Sequence, residues 1–143
     1  MRIIIDADGC PVVKTAALCA KQNNIDCILV CDTAHIFNID NVKVITVSQG
    51  SDSADFKIVN LINSDDIVVT QDYGLAAMCL SKTKKVINQN GLIFNEYNIE
   101  GLLNSRHINK QILLNGGRIK GPAKRKPEQD KIFLKSLISL IQK

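Results

Sequence analysis

Short apolar runs without polar alternation recur along this chain, at Ile3-Ile4-Ile5, at residues 27–31 and at residues 67–70. A continuous run of four to eight such residues reads as a strand buried on both faces, the kind found in parallel sheets covered by helices. The stretches between them carry helical spacing. Pro11 fits the first turn of a helix running to about Asn23. Residues 42–47 form a further strand, and Ser48-Gln49-Gly50-Ser51 breaks the chain. A helix then covers residues 52–63, with Phe56, Val59 and Ile62 or Asn63 at helical spacing. Asp72 starts a helix through Leu80, residues 85–87 give a short strand, and an Asn90-Gly91 turn precedes Leu92-Ile93-Phe94. Helices at about 98–114 and 127–141 complete the pattern. Alternation of this kind predicts an α/β fold: one three-layer domain over residues 1–143, its mostly parallel central sheet covered on both faces.

Right-handed crossovers put every strand's carboxyl end on one edge of such a sheet. Asp6 and Asp8 follow the first strand, Asp32 the second and Asp72 the fourth, so these acids share a rim. Asp52 and Asp55 lie one turn apart at the start of a helix that leaves the same rim. Asp65 and Asp66 precede a strand and belong to the opposite edge. Each rim acid has a structural alternative: Asp72 as a helix N-cap, and Asp52 with Asp55 as an imperfect capping box. Asp6 is different, because an unpaired carboxylate at the end of a buried central strand is costly. Together Asp6, Asp8, Asp55 and Asp72 make a donor set of hard oxygens suited to Mg²⁺ or Mn²⁺.

The net charge of +4 hides a division along the chain. Residues 1–80 hold five Lys or Arg against ten Asp, a net of −5, whereas residues 81–143 hold thirteen against four acids, a net of +9. An acidic front that holds a cation and a basic back that holds a polyanion would suit an enzyme of nucleic acids. The strongest basic stretch, Arg118, Lys120, Lys124, Arg125 and Lys126, falls in a Gly- and Pro-containing loop at residues 115–126. It reads either as a grip on a phosphate backbone or as a solvated linker. With only four Phe and two Tyr, a platform for base stacking is not expected.

The five cysteines, Cys10, Cys19, Cys27, Cys31 and Cys79, form no C-x-x-C pair. Neither a disulfide framework nor a zinc knuckle is therefore expected. Cys27 and Cys31 share a strand face and read as core thiols. Cys10 sits beside the acidic pair with no base to activate it. No apolar segment approaches the roughly 18 residues of a membrane span, and a cytoplasmic location is expected.

Four segments, IDADGCPV at the start, GSDSADFKIV in the middle, IVVTQDYGLAAM and the late GGRIKGP, together resemble the YaiI/YqxD family of bacterial proteins over nearly the whole chain. That family looks like a divergent PIN-like domain, and PIN domains are metal-dependent ribonucleases built on a parallel sheet. The resemblance implies RNA or another nucleic acid as partner and Mg or Mn as cofactor. It places Asp6 in the role of the acid after the first strand, Asp55 in that of the helix acid and Asp72, in Thr70-Gln71-Asp72, in that of the acid after the fourth strand. Asp8 would be an added ligand or a supporting acid. Two departures stand out: Tyr73 and Gly74 follow Asp72 where a further acid is often found, and the helix acid is Asp55 instead of the longer Glu.

Two other readings stay open. A catalytically silent PIN-like protein would bind RNA or a protein partner and keep the acids for structure. Ile-Ile-Ile-Asp-Ala-Asp also resembles the D-x-D of haloacid-dehalogenase-type phosphatases, but Cys10 stands where that pattern has Thr, and Asp65-Asp66 lies at the wrong end of its strand. Among flanking residues, Lys14, Thr70 and Gln71 are candidates for substrate contact. His35 reads as a loop residue near the rim, and Arg106 with Lys110 as a basic helix face.

Overall fold

The computed structural model describes residues 1–32, 37–49, 53–119 and 124–143. Asp52, His35 and Lys120, with the capping box proposed for Asp52 and Asp55, lie outside the described residues.

Five strands make one parallel sheet: β1 (Arg2–Asp6), β2 (Asp26–Asp32), β3 (Val42–Val47), β4 (Ile67–Val69) and β5 (Val86–Ile87), in the order β3-β2-β1-β4-β5. The helices are α1 (Val13–Gln22), α2 (Ser53–Leu61), α3 (Tyr73–Cys79), α4 (Ile99–Leu114) and α5 (Pro127–Ile141). Period-two alternation divides the strand side chains between two cores. Ile3, Ile5, Cys27, Leu29, Cys31 and Val69 face α1 and α5, where Ala16, Ala20, Phe133 and Leu137 cover them. Ile4, Ile28, Val30 and Val68 face α2 and α3, through Ile58, Ile62, Leu75 and Cys79. The β1 isoleucines are fully buried because both faces of the central strand are covered. Cys27 and Cys31 are core thiols on one face, as expected, and burial pushes the Cys27 thiol up to about 12.

The chain runs outward from β1 through β2 to β3 and then crosses back to β4 on the other side of β1. Neighbouring crossovers diverge at that reversal, leaving a crevice at the strands' carboxyl ends between β1 and β4. Asp6 closes one of these strands and Thr70 follows the other.

Several local expectations are corrected. Pro11 precedes α1 instead of lying in its first turn. A turn closed by Cys10 N–H to the Ala7 carbonyl (3.2 Å), with Gly9 at φ +69°, takes up residues 7–10, and the first helical bond is Ala16 N–H to Val12 O. Phe56 is 61% exposed, since the inward row is Ile58 of α2 and Ile62 just past its end, at i, i+4 spacing. After the Asn90-Gly91 turn, Ile93 makes an isolated antiparallel bridge to Ile87. Asp66 lies at the amino edge as expected, where its carboxylate accepts from Arg2 NH2 (2.6 Å) and Asn63 N–H (2.8 Å). Asp65 there pairs with Lys85 at 2.8 Å. Among the described residues, no helix is long and apolar enough to cross a membrane.

Candidate functional site

The crevice between β1 and β4 opens into a pocket of about 600 Å³ whose walls include Asp6, Asp8, Asp55 and Asp72. Chain topology explains the assembly. Asp6 is the last residue of β1, Asp8 lies in the turn that follows, Asp55 sits in the first turn of α2, and Asp72 is the N-cap of α3. All four sequence-predicted acids therefore line a single pocket, although they are spread over 67 positions of the chain, from 6 to 72.

Burial pushes the Asp6 carboxyl up to about 6; the Thr70 hydroxyl, donating to Oδ2 at 2.9 Å, opposes that rise, and the negative charges of Asp55, Asp72 and Asp8 add to it. A carboxylate destabilised by both desolvation and like charges is one that a cation would relieve. Thr70 itself is fully buried, and its oxygen accepts the Asp72 backbone amide at 3.0 Å.

The other acids also have structural work. Asp72 Oδ1 accepts from Gly74 N–H (2.8 Å) and Leu75 N–H (3.2 Å), so the N-cap alternative is realised. Asp8 Oδ2 accepts the Asp32 amide at 3.1 Å, tying the turn after β1 to the end of β2. Hard carboxylate oxygens fit a Mg²⁺ or Mn²⁺ ion in chemistry. In spacing the site is open: among the described residues, no three His, Cys, Asp or Glu side chains are grouped to hold one ion.

Arg106 was read from the sequence only as part of a basic helix face, yet it reaches this pocket. Its NH1 lies 3.4 Å from Asp72 Oδ1, brought there by α4 packing across α3. The absent side chain of Gly74 helps: a Cβ there would stand 3.2 Å from Asp72 Oδ1 and 3.5 Å from Arg106 NH1. Tyr73 lines the pocket with its ring edge-on to buried Phe94, centroids 5.9 Å apart.

The remaining sequence-predicted residues scatter. Gln71 lines the pocket and donates to Gly9 O at 2.9 Å. Lys14 is exposed on α1 and does not line the pocket. Arg118 and Lys124 are exposed, and Lys126 is the N-cap of α5, its amide donating to Gln129 Oε1 at 2.7 Å. Arg125 is tied down, donating through Nε to Asp130 (2.8 Å), NH1 to Asn90 Oδ1 (2.7 Å) and NH2 to Gln89 O (2.8 Å). Cys10 is half-buried, and burial raises its thiol above the usual range, which suits no nucleophile. Asp65 and Asp66 stand at the far edge of the sheet from Asp6, so neither can complete a D-x-D phosphatase site.

The sequence model of a family described as "Uncharacterized BCR, YaiI/YqxD family" matches residues 4–143. A UPF0178 protein of Exiguobacterium sibiricum is 48% identical over 141 residues, covering 99% of this chain and 96% of the relative. One from Ruminiclostridium cellulolyticum is 46% identical over 142 residues, covering 99% and 93%, and one from Staphylococcus aureus is 41% identical over 144 residues, covering 99% and 95%. No solved structure matches. With a family match over almost its full length and relatives of this identity, the chain belongs to the YaiI/YqxD family.

Proposed function

We propose that this protein is a metal-dependent nuclease acting on RNA, with the pocket between β1 and β4 as its active site. The observation that carries this reading is Asp6: a carboxyl raised to about 6 by burial and by three neighbouring acids, at the crevice where parallel sheets bind their ligands. Held by Asp6, Asp55 and Asp72, with Asp8 beside them, Mg²⁺ or Mn²⁺ would polarise the scissile phosphate and favour activation of water for in-line attack.

The chain's own residues supply the rest. Thr70 holds the Asp6 carboxylate in orientation while its oxygen is fixed by the Asp72 amide. Arg106, at the mouth beside Asp72, offers a guanidinium that can turn from the carboxylate to a phosphate oxygen. Arg118 and Lys124, with Lys126, supply positive charge for the backbone beyond the pocket. The test is cleavage of RNA and single-stranded DNA with Mn²⁺ by the parent and by Asp6→Asn; equal activity in the two discards this site.

A second reading has an observation of its own. Asp72 capping α3 and Asp8 accepting the Asp32 amide are the roles expected if the acids serve structure alone, in a silent RNA-binding or partner-binding protein. Calorimetric titration separates the two, because the silent protein takes up neither Mg²⁺ nor Mn²⁺ at millimolar concentration.

A further inference from the structure

A second cleft, of about 390 Å³, opens beside the acidic pocket, and Gln71 lines both. Facing Gln71 are Gln89 and Asn90, from the turn after β5, and Gln129, from the first turn of α5. The first pocket is walled by carboxylates; this one is walled by carboxamides, neutral groups that hold a donor and an acceptor in one plane.

Three of these carboxamides have one arm fixed by the fold and the other open. Gln71 Nε2 donates to Gly9 O (2.9 Å), Asn90 Oδ1 accepts from Arg125 (2.7 Å) and Gln129 Oε1 accepts from Lys126 N–H (2.7 Å). Gln71 Oε1, Asn90 Nδ2 and Gln129 Nε2 make no hydrogen bond to another described residue. Gln89 Oε1 is buried and likewise accepts none among the described residues. The frame beneath them is stiff. Asn88 Oδ1 accepts both Asn90 N–H and Leu92 N–H at 2.9 Å, and Gly91, at φ +86°, sits so close to α5 that a Cβ would stand 2.9 Å from Ile132 O.

We propose that this cleft binds a nucleobase of the strand whose phosphate enters the acidic pocket. The position of the phosphate rests on the nuclease reading; the base site rests on the carboxamides. A base edge offers adjacent donors and acceptors in a plane, which Asn and Gln side chains match, and single-stranded RNA exposes those edges. A phosphate suits the cleft poorly. Among the described residues its one cation is Arg125, which already faces Asp130 and two carbonyl-type oxygens, and Gly9 O adds a further acceptor. Among the described residues no aromatic ring lines the cleft, so it selects among bases without gripping any of them tightly.

The experiment uses the full chain labelled with ¹⁵N, without metal, titrated with each of the four ribonucleosides and separately with inorganic phosphate. The side-chain amide signals of Asn90 and Gln129 are expected to shift saturably at millimolar nucleoside, to different extents for different bases, and not with phosphate. Asn90→Asp keeps the oxygen that Arg125 needs and replaces the open donor by an acceptor. It is expected to abolish the nucleoside shift at Gln129 and to change the base preference of cleavage by about tenfold. Nucleoside shifts in a protein that cuts no RNA leave the cleft standing and the nuclease reading fallen. Silence of both amides to all four nucleosides, or equal shifts with phosphate, overturns the cleft even if RNA is cut.

Discussion

The Thr70 hydroxyl donates to Asp6 Oδ2 across 2.9 Å, bridging β1 and β4 at the point where the strand order reverses. The same oxygen accepts the Asp72 amide at 3.0 Å, which leaves the hydroxyl proton directed at Asp6. One buried side chain thus links the acid that ends β1 to the acid that caps α3.

Thr70→Val keeps the shape and removes both bonds. The Asp72 amide loses its acceptor and Asp6 its donor, for an expected loss of about 1–3 kcal/mol in denaturant unfolding. The Thr70 bond holds the Asp6 carboxyl down against burial, so in the variant Asp6 should titrate above its parental value of about 6. Carboxyl-carbon NMR reads this directly, and an unmoved Asp6 titration would remove Thr70 from the site.

Asp6 also makes stability depend on pH with a definite sign. Its folded pKa, about 6, lies above the ordinary 3.8, so the native state holds the proton more tightly than the unfolded chain. That contribution is fully present below about pH 4 and is lost as pH rises through about 6, to the extent of roughly 3 kcal/mol. Asp6→Asn should abolish the loss and be the more stable protein at pH 7.5. Melts at pH 4.5, 6 and 7.5 should be compared as differences between parent and variant, because other carboxyls titrate with the opposite sign. Under the nuclease reading, Mn²⁺ at 100 times its Kd should stabilise the parent by about 2.7 kcal/mol and the variant far less.

The acidic rim was legible in the sequence because strand polarity follows from chain order: an acid after a buried run must fall on the carboxyl edge of a parallel sheet. Asp6 and Asp72 required nothing more, whereas Asp55 lies on a helix that starts from the rim and was set apart from Asp52 by the family resemblance. Arg106 was hidden because its partner, Asp72, lies 34 positions away and is reached only through the packing of α4 on α3. The ties that fix Arg125, read from the sequence as a phosphate contact, were hidden for a similar reason, since Gln89 and Asn90 are 36 and 35 positions earlier. Periodicity places elements, and it says nothing about where a long side chain ends. Pro11 failed as a helix-start marker because the Gly9 turn uses up the residues in which α1 would have begun.

Asp66 is the acid to use as a control. Burial alone would raise its carboxyl, but donation from Arg2 and Asn63 outweighs burial and holds it below the usual range. Its contribution is therefore present at neutral pH and disappears as pH falls through that lowered value. Asp66→Asn should cost about 2–3 kcal/mol at pH 7, since it leaves Arg2 facing a neutral group. Nuclease activity in the folded protein should be unchanged, and a selective loss of turnover without loss of stability would bring the amino edge into the chemistry.

The basic loop should divide by burial. Arg125→Ala breaks the ties to Asp130, Asn90 and Gln89 and is expected to lower stability by about 1–3 kcal/mol. Arg118→Ala and Lys124→Ala, both at exposed positions, should leave stability within about 0.5 kcal/mol. Each should reduce the salt slope of RNA binding by about one contact. An unchanged slope in both would restrict the phosphate contacts to the pocket.

Arg106 offers the sharpest division between a structural and a functional cation. As a surface pair with Asp72, the guanidinium 60% and the carboxylate 38% exposed, it is worth at most about 1 kcal/mol to the fold, so Arg106→Gln should melt close to the parent. Removing a positive charge from beside Asp72 favours a metal ion on that carboxylate, and Mn²⁺ affinity should hold or rise. If Arg106 meets a phosphate oxygen of the bound strand, KM for RNA should increase about tenfold while kcat changes less, the pattern of an interaction made equally in ground and transition states. If it meets the oxygen only as charge develops, kcat should fall and KM stay. Unchanged kinetics with tighter Mn²⁺ binding would leave Arg106 as a counter-charge to the acids and nothing more.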